Sequence, residues 1–369
     1  MGGGQVCGVR DGAVMATNFY KYGLSTPYAT IEGGIALSEA FAAECDAVEQ
    51  EVRKLADKGW LRYLHLSDLH APATMLDEPR RQCMIAVAEM ARRLALDFVL
   101  LTGDILAGAG GNAQAQQKTL LEIREIFAEC GVPVIVCRGN HDDNSVLDSA
   151  TGKPKPENVI PNEWWNWYMG DGFCLASNLQ VAPAGANGYY YVDIPAKKVR
   201  VININCSDLT EQERLERGGQ NYMVVSQAQL DWLGNEALAV PDGWKCICAS
   251  HFVPVDGMAI GGKITNSAEL YAVLEAHADR IIAYNAGHNH VSANYVDDKG
   301  LRFITAATSG GRVVTMSECQ AGYGISGVSA EVRAAAPTGA MVFDICIVAQ
   351  DGTVSRVRWG AEDDLFKDG

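Results

Sequence analysis

Five short stretches gather side chains able to hold cations and move protons: Asp68-Leu69-His70, Gly103-Asp104, Gly139-Asn140-His141-Asp142, His251 and Gly287-His288-Asn289-His290. Five of the seven histidines of the chain lie in them. Carboxylate and amide oxygens mixed with imidazole nitrogens suit borderline divalent cations such as Mn, Fe(II), Zn or Co, and not a soft thiolate site. In Asp-x-His and His-x-His, two ligands two residues apart leave an extended chain on the same side. The glycines at 103, 139 and 287 let the backbone turn sharply and come close to a neighbour. Taken singly each stretch is weak, since an Asp-x-His is commonly a surface loop and a Gly-Asp a turn. What makes the set specific is that each stretch ends an apolar run.

Those runs are strands. "LRYLHLSDLH" from Leu61, "DFVLLTGDIL" from Asp97 and "VPVIVCRGNHDD" from Val132 alternate with helical patterns at 77–96 and 113–129. The βαβαβ order implies a parallel sheet with crossover helices. Ligands of open α/β sheets gather at the carboxyl ends of strands, where all five stretches fall. Further strands are expected at 189–194, 199–205, 245–250 and 280–286, with helices at 226–238 and 267–278. Residues 293–296, 301–307, 341–348 and 353–359 read as late antiparallel strands, the last two joined by a Gln350-Asp351-Gly352-Thr353 turn. The stretch 151–188 reads as loop, with Trp164, Trp165, Trp167 and Tyr168 either a lid that stacks on a base or packing at a helix start. The Gly- and Ser-rich stretch 309–327 reads as a mobile flap or a long loop.

Ahead of these lies a separate segment. Leu37, Phe41, Cys45, Val48, Val52 and Leu55 recur at steps of four and three, which predicts one amphipathic helix within 36–58. Its stripe suits docking on the domain or pairing with a second copy of the chain as a homo-oligomer. The domains are therefore drawn as an N-terminal extension, 1–58, and a second domain, 59–369.

The bulk properties exclude several roles. A net charge of −15 disfavours a general phosphate-backbone grip, so nucleic acid is not the expected partner, and it disfavours anionic membranes as well. No run of 18 apolar residues predicts a membrane span. The 11 cysteines are irregularly spaced and mostly sit in apolar segments, which predicts reduced core thiols and a reducing compartment. With no signal-like run at the start and no Ser or Thr at position 6 for myristoylation, a cytoplasmic location is expected.

From Leu61 to the C-terminus the chain resembles the calcineurin-like metallophosphoesterases, whose pattern is D-x-H, G-D, G-N-H-[DE], H, G-H-x-H. The stretch "VSQAQLDWL" at 225–233 is similar to the family's helix before the fourth motif. The resemblance implies an αββα fold, two packed mixed β-sheets flanked by helices, with two divalent metal ions at the strand ends. It implies that Asp68, His70 and His290 hold one ion, that Asn140, His251 and His288 hold the other, and that Asp104 bridges them. His141 is then a proton donor and not a ligand. Two divalent ions bring +4 and the two aspartates return −2, so positive charge remains to hold a phosphate in an acidic protein. Water shared by such ions is acidified and can attack phosphorus in line.

The chain departs from the family at Ala107, where many members carry an acid that orients the catalytic histidine; Asp142 and Asn112 are the nearby substitutes. Some acid phosphatases of the wider group carry a metal-binding tyrosine there, and Ala107 excludes it. Arg138 is placed to touch substrate phosphate or to form a strand-end salt bridge, while His65 and His277 are expected to be structural. The expected function is hydrolysis of a small-molecule phosphate ester, either a diester such as a cyclic nucleotide or a monoester. The alternative is an accessory module of a larger assembly, for example a phage particle, that retains the fold.

Overall fold

The computed structural model describes residues 36–55, 59–72, 78–108, 112–169, 188–310, 325–326, 336, 338 and 341–361. The apolar stripe near the start forms helix α1 (Glu39–Leu55) with Phe41, Cys45, Val48 and Val52 buried. They face α2 (Glu78–Arg93) and the last strand, β12 (Val354–Gly360). Phe41 lies 5.3 Å from the Trp359 ring, the Ser38 N–H donates to Gln82 Oε1 at 2.8 Å, and the Gly360 N–H donates to Glu44 Oε1 at 3.0 Å. The stripe thus docks on the domain, with Phe41, Cys45, Val48 and Val52 buried within the chain.

Strands β1 (Leu61–Leu66), β2 (Phe98–Leu101) and β3 (Val134–Val136) pair in parallel, linked by α2 and α3 (Ala113–Phe127). On the other side of β1, β11 (Val342–Val348) and β12 add antiparallel. The sheet order is β12-β11-β1-β2-β3. A second sheet is built from β4 (Tyr190–Ile194), β5 (Val199–Asn203), β6 (Lys245–Ala249), β7 (Ile281–Ala286), β8 (Ser292–Val296), β9 (Arg302–Thr305) and β10 (Ile325–Ser326). Its order is β10-β8-β9-β7-β6-β5-β4. The run β5-β6-β7-β9 is parallel and the flanking strands are antiparallel.

The two sheets share one apolar layer. Along β6, Ile247 and Ala249 join the core that also holds Tyr63, Phe98 and Ile135 of the first sheet. Cys246 and Cys248 point the other way, into a second core with Leu230 of α6 (Gln227–Trp232) and Leu270 and Leu274 of α7 (Ser267–Glu275). A strand covered on both faces needs no polar alternation, which is why "CICA" is apolar throughout.

Within 151–188, residues Asn162–Met169 form helix α4 and not loop. Trp164, Trp165 and Tyr168 are fully buried. Trp164 stacks on Tyr168 with centroids 5.1 Å apart, and the Trp165 Nε1–H donates to the Asp142 carbonyl at 3.1 Å. The aromatic cluster is therefore packing beneath the end of β3, with no exposed ring to act as a lid. Helix α5 (Glu211–Arg217) follows β5 and opens on a capping box between Thr210 and Glu213. The eight described cysteines are all buried, and none of them forms a disulfide. No helix among the described residues is long and apolar enough to cross a membrane. Residues 311–324 and 327 of the expected flap lie outside the described residues.

Candidate dinuclear metal centre

The strands stop before the ligands begin. β1 ends at Leu66, and β7 ends at Ala286. Asp68, His70, Asp104, His288 and His290 all adopt positive φ, at 54°, 45°, 49°, 63° and 58°. Their convergence comes from left-handed turns, not from the alternation of an extended strand. Side chains with a Cβ avoid this region, and such backbone concentrates at functional sites. Between each pair, a buried residue anchors the turn. Leu69 sits in the core, and Asn289 accepts the Ile260 N–H at 3.1 Å and donates to the Met258 carbonyl at 2.8 Å.

Two glycines permit the close approach. A Cβ on Gly139 would collide with the backbone nitrogen and Oδ1 of Asp104, and one on Gly287 would lie 2.6 Å from Asp68 Oδ2. The turns are then laced together. The Asp68 N–H donates to the Gly103 carbonyl at 3.0 Å and the His70 N–H to the Asp104 carbonyl at 2.9 Å. Across the sheets, the Thr308 hydroxyl donates to the Asp68 carbonyl at 2.8 Å.

The result is three overlapping donor groups, linked through His70 and Asp104. Donor atoms of Asp68, His70 and His290 all lie within 4.8 Å of one another, as do those of Asp104, His251 and His288 and those of His70, Asp104 and His141 between them. In the first group, His290 Nε2 is 3.1 Å from His70 Nε2 and 3.3 Å from Asp68 Oδ1. In the second, His251 Nε2 is 3.1 Å from Asn140 Oδ1 and 3.2 Å from Asp104 Oδ2. Asp104 Oδ2 also lies 3.7 Å from His70 Nε2, so Asp104 stands between the outer groups.

This donor set fits two divalent cations. Asp68 Oδ1 and His288 Nε2 are buried with no hydrogen-bond partner, a costly state that a cation relieves. The His251 Nδ1–H donates to the Thr102 carbonyl at 2.7 Å, which fixes the ring and leaves Nε2 as the ligand atom.

The electrostatics follow from the crowding. Burial alone would raise Asp68, but the neighbouring imidazoles, His290 foremost and then His70, hold it well below the usual carboxylate range. Asp104 is likewise buried yet held low, chiefly by His251. Burial and then the neighbouring His251 push His288 down to about 3, so it is neutral, as a ligand must be. His251 is opposed by burial but carried up to about 9 by Asp104.

His141 stands at the edge of both groups, its Nε2 3.8 Å from Asp104 Oδ2 and its side chain 31% exposed. Its Nδ1–H donates to the Ala107 carbonyl at 2.8 Å. Neither expected substitute orients it. Asn112 caps α3, accepting the Ala115 N–H, and Asp142 accepts the N–H groups of Leu106 at 3.0 Å and Gly139 at 2.6 Å. Burial and the nearby Asp104 push Asp142 up to about 7.

Arg138 differs from the salt-bridge reading given to it. It is buried, donating from Nη1 to Asn162 Oδ1 at 2.9 Å and from Nη2 to the Ser207 carbonyl at 2.6 Å. Its Nη donors serve the wall behind the site while Nε is left without a partner, and its partners are neutral, so among the described residues it forms no strand-end salt bridge. His65 is fully buried, with Nε2 2.9 Å from Thr102 Oγ1, and burial pushes it down to about 4. His277 Nδ1 faces the Val273 carbonyl within its own helical turn.

The family profile described as calcineurin-like phosphoesterase matches residues 61–292. The chain therefore belongs to the calcineurin-like phosphoesterase family. No curated protein matches it. Among solved structures, a dimetal phosphatase from Danio rerio is 15% identical with a TM-score of 0.58, covering 82% of this chain and 100% of that one. A 5'-nucleotidase from Candida albicans is 14% identical with a TM-score of 0.43, covering 81% of this chain and 51% of that one. The GAP50 anchor of the Plasmodium inner membrane complex is 10% identical with a TM-score of 0.41, covering 82% and 89%. The first of these shares the fold, and by family the chain is a metal-dependent phosphoesterase.

Proposed function

We propose that the chain hydrolyses small-molecule phosphate esters, monoester or diester, with Asp68, His70, His290, Asp104, Asn140, His251 and His288 holding two divalent ions and His141 giving the proton to the leaving group. The observation that carries this reading is the run of donor groups linked through His70 and Asp104, with the half-buried imidazole of His141 at its edge. A decayed site kept only as scaffold would be expected to have lost a ligand, and every position is filled.

Divalent cations, when bound, supply the positive charge that holds phosphoryl oxygens and acidifies water for in-line attack. The chain supplies the rest. The Ala107 carbonyl accepts only, so it fixes the hydrogen of His141 on Nδ1 and leaves Nε2 to face the reacting ester. Protonated at both nitrogens, His141 hands its Nε2 proton to the departing oxygen. Asp104 Oδ1 accepts the backbone N–H of His141 at 2.9 Å, so the carboxylate that joins the two groups also fixes the proton donor. The surrounding charge of −15 favours a compact substrate over a polyanionic strand.

The test is turnover of bis-p-nitrophenyl phosphate and p-nitrophenyl phosphate with added Mn, Fe(II), Zn or Co. Hydrolysis of at least one ester is expected. The His141→Ala variant should be slower by about 10²–10⁴-fold with its metal content unchanged. A folded protein inert toward both esters with every metal contradicts the proposal.

A further inference from the structure

The proton donor of this site has no carboxylate behind it, and the residues that take that place include one that the sequence does not flag. Gln220 lies on the turn after α5. Its Nε2 donates to the Gly108 carbonyl at 3.0 Å and sits 3.5 Å from His141 Nδ1. Both of those nitrogens carry hydrogen, so the second approach is a packing contact and not a bond. Gly108, at φ 58°, is the floor on which both side chains rest. A Cβ there would come within 2.5 Å of Gln220 Nε2 and 2.7 Å of His141 Nδ1.

The turn that carries Gln220 is itself tied to the segment that carries His141. The Gly219 N–H donates to Ser145 Oγ at 2.6 Å, and that hydroxyl donates to Asp143 Oδ1 at 2.6 Å. Asp143 forms a fully buried ion pair with Arg214 of α5. A closed circuit therefore runs from His141 through Asp143, Ser145, Gly219 and Gln220 back to the imidazole. A buried ion pair is stiff because breaking either partner strands a charge, so the circuit holds Gln220 at a fixed height over the ring.

We infer that Gln220 is a positioning residue for His141, and that with the Ala107 carbonyl and Gly108 it forms an uncharged clamp that aims the imidazole at the leaving-group oxygen. The inference rests on the reading of His141 as the proton donor. The Gln220 amide bonds the Gly108 carbonyl and packs on His141, so its loss lets the ring swing while the cation groups stay intact.

A positioned proton donor matters most when the leaving group is poor. The experiment compares p-nitrophenyl phosphate with phenyl phosphate, or the matching methyl diesters if those are preferred, for wild type, Gln220→Ala, His141→Ala and the double variant. Gln220→Ala should lose about tenfold in kcat on the phenyl ester, the scale of effects from residues that orient a functional group. It should lose far less on the p-nitrophenyl ester, with KM and metal content unchanged. The double variant should be no slower than His141→Ala. Equal losses on both esters, or losses that add to those of His141→Ala, would overturn the role of Gln220 while leaving His141 as the donor. A His141→Ala variant that shows no leaving-group dependence would instead overturn the reading beneath it. Should Gln220→Ala misfold, Gln220→Asn withdraws the amide by one methylene and is read by the same comparison.

Discussion

Asp68 Oδ2 accepts the backbone N–H of His288 at 3.0 Å, joining residues 220 positions apart in the chain. A ligand of one cation group thereby holds the turn that carries a ligand of the other. The other carboxylate repeats the device, since Asp104 Oδ1 takes the backbone N–H of His141. Each aspartate spends one oxygen on a neighbouring turn and keeps the other for the centre.

This division predicts unequal effects of removing ligands. Asp68→Ala takes away a ligand and also frees the His288 turn, so affinity for both cations should fall by about tenfold or more. His70→Ala removes a ligand without that backbone tie and should weaken chiefly the group it shares with Asp68 and His290. Calorimetric titration with Mn reads both variants. An Asp68→Ala protein that keeps one ion at wild-type affinity would show that the two groups are independent.

Cation binding at the Asp104–His251–His288 group should release a proton. Burial works against a charged His251, but Asp104 carries it up to about 9, so in the metal-free protein it is protonated at neutral pH. A ligand imidazole must be neutral. Affinity should therefore rise about tenfold per pH unit until about pH 9, with about one proton released. His288, down at about 3, is already neutral and adds no dependence above that value. Titrations in two buffers of different ionisation heat measure the release directly, and identical apparent heats would contradict it.

The left-handed ligand turns predict an inverted order of stability. His290 has φ 58°, a conformation that costs about 1–2 kcal/mol for a residue with a Cβ and nothing for glycine. His290→Gly and His290→Ala both delete the imidazole, so their difference isolates the backbone. The glycine variant should be the more stable by about 1 kcal/mol in chelator, the reverse of the usual ranking. Urea denaturation of the two proteins side by side checks this, and an alanine variant of equal or greater stability would remove strain from the account.

The centre was legible in sequence where ligand type and strand end coincide. Asp68, His70, Asp104, Asn140, His251, His288 and His290 come together because each follows an apolar strand that the parallel sheets carry to one edge. The backbone conformation was not legible: an i, i+2 pair looks the same whether the chain is extended or left-handed, and only the laced turns decide. Arg138 illustrates a second blind spot. A strand-end arginine beside Gly-Asn-His reads as a phosphate contact, but the acceptors that turn it inward, Asn162 and the Ser207 carbonyl, lie on distant elements. The orienting groups of His141 escaped for a related reason. A backbone carbonyl leaves no trace in residue type, so Ala107 looked like a missing partner when its main chain supplies one. Helix α4 was masked by the prolines ahead of it, Pro154, Pro156 and Pro161, and by its own aromatics, which read as loop until Trp164, Trp165 and Tyr168 find the core.

The central claim is that one edge of two packed sheets binds a pair of divalent cations and uses them to cleave a phosphate ester. Elemental analysis of the purified protein, with ester turnover followed in parallel as metal is stripped by chelator and restored, tests it most directly. The account predicts two equivalents of divalent metal per chain, loss of turnover on stripping, and recovery only as the second equivalent returns. A folded chain that binds no divalent metal, or that turns over esters equally well in excess chelator, would contradict it.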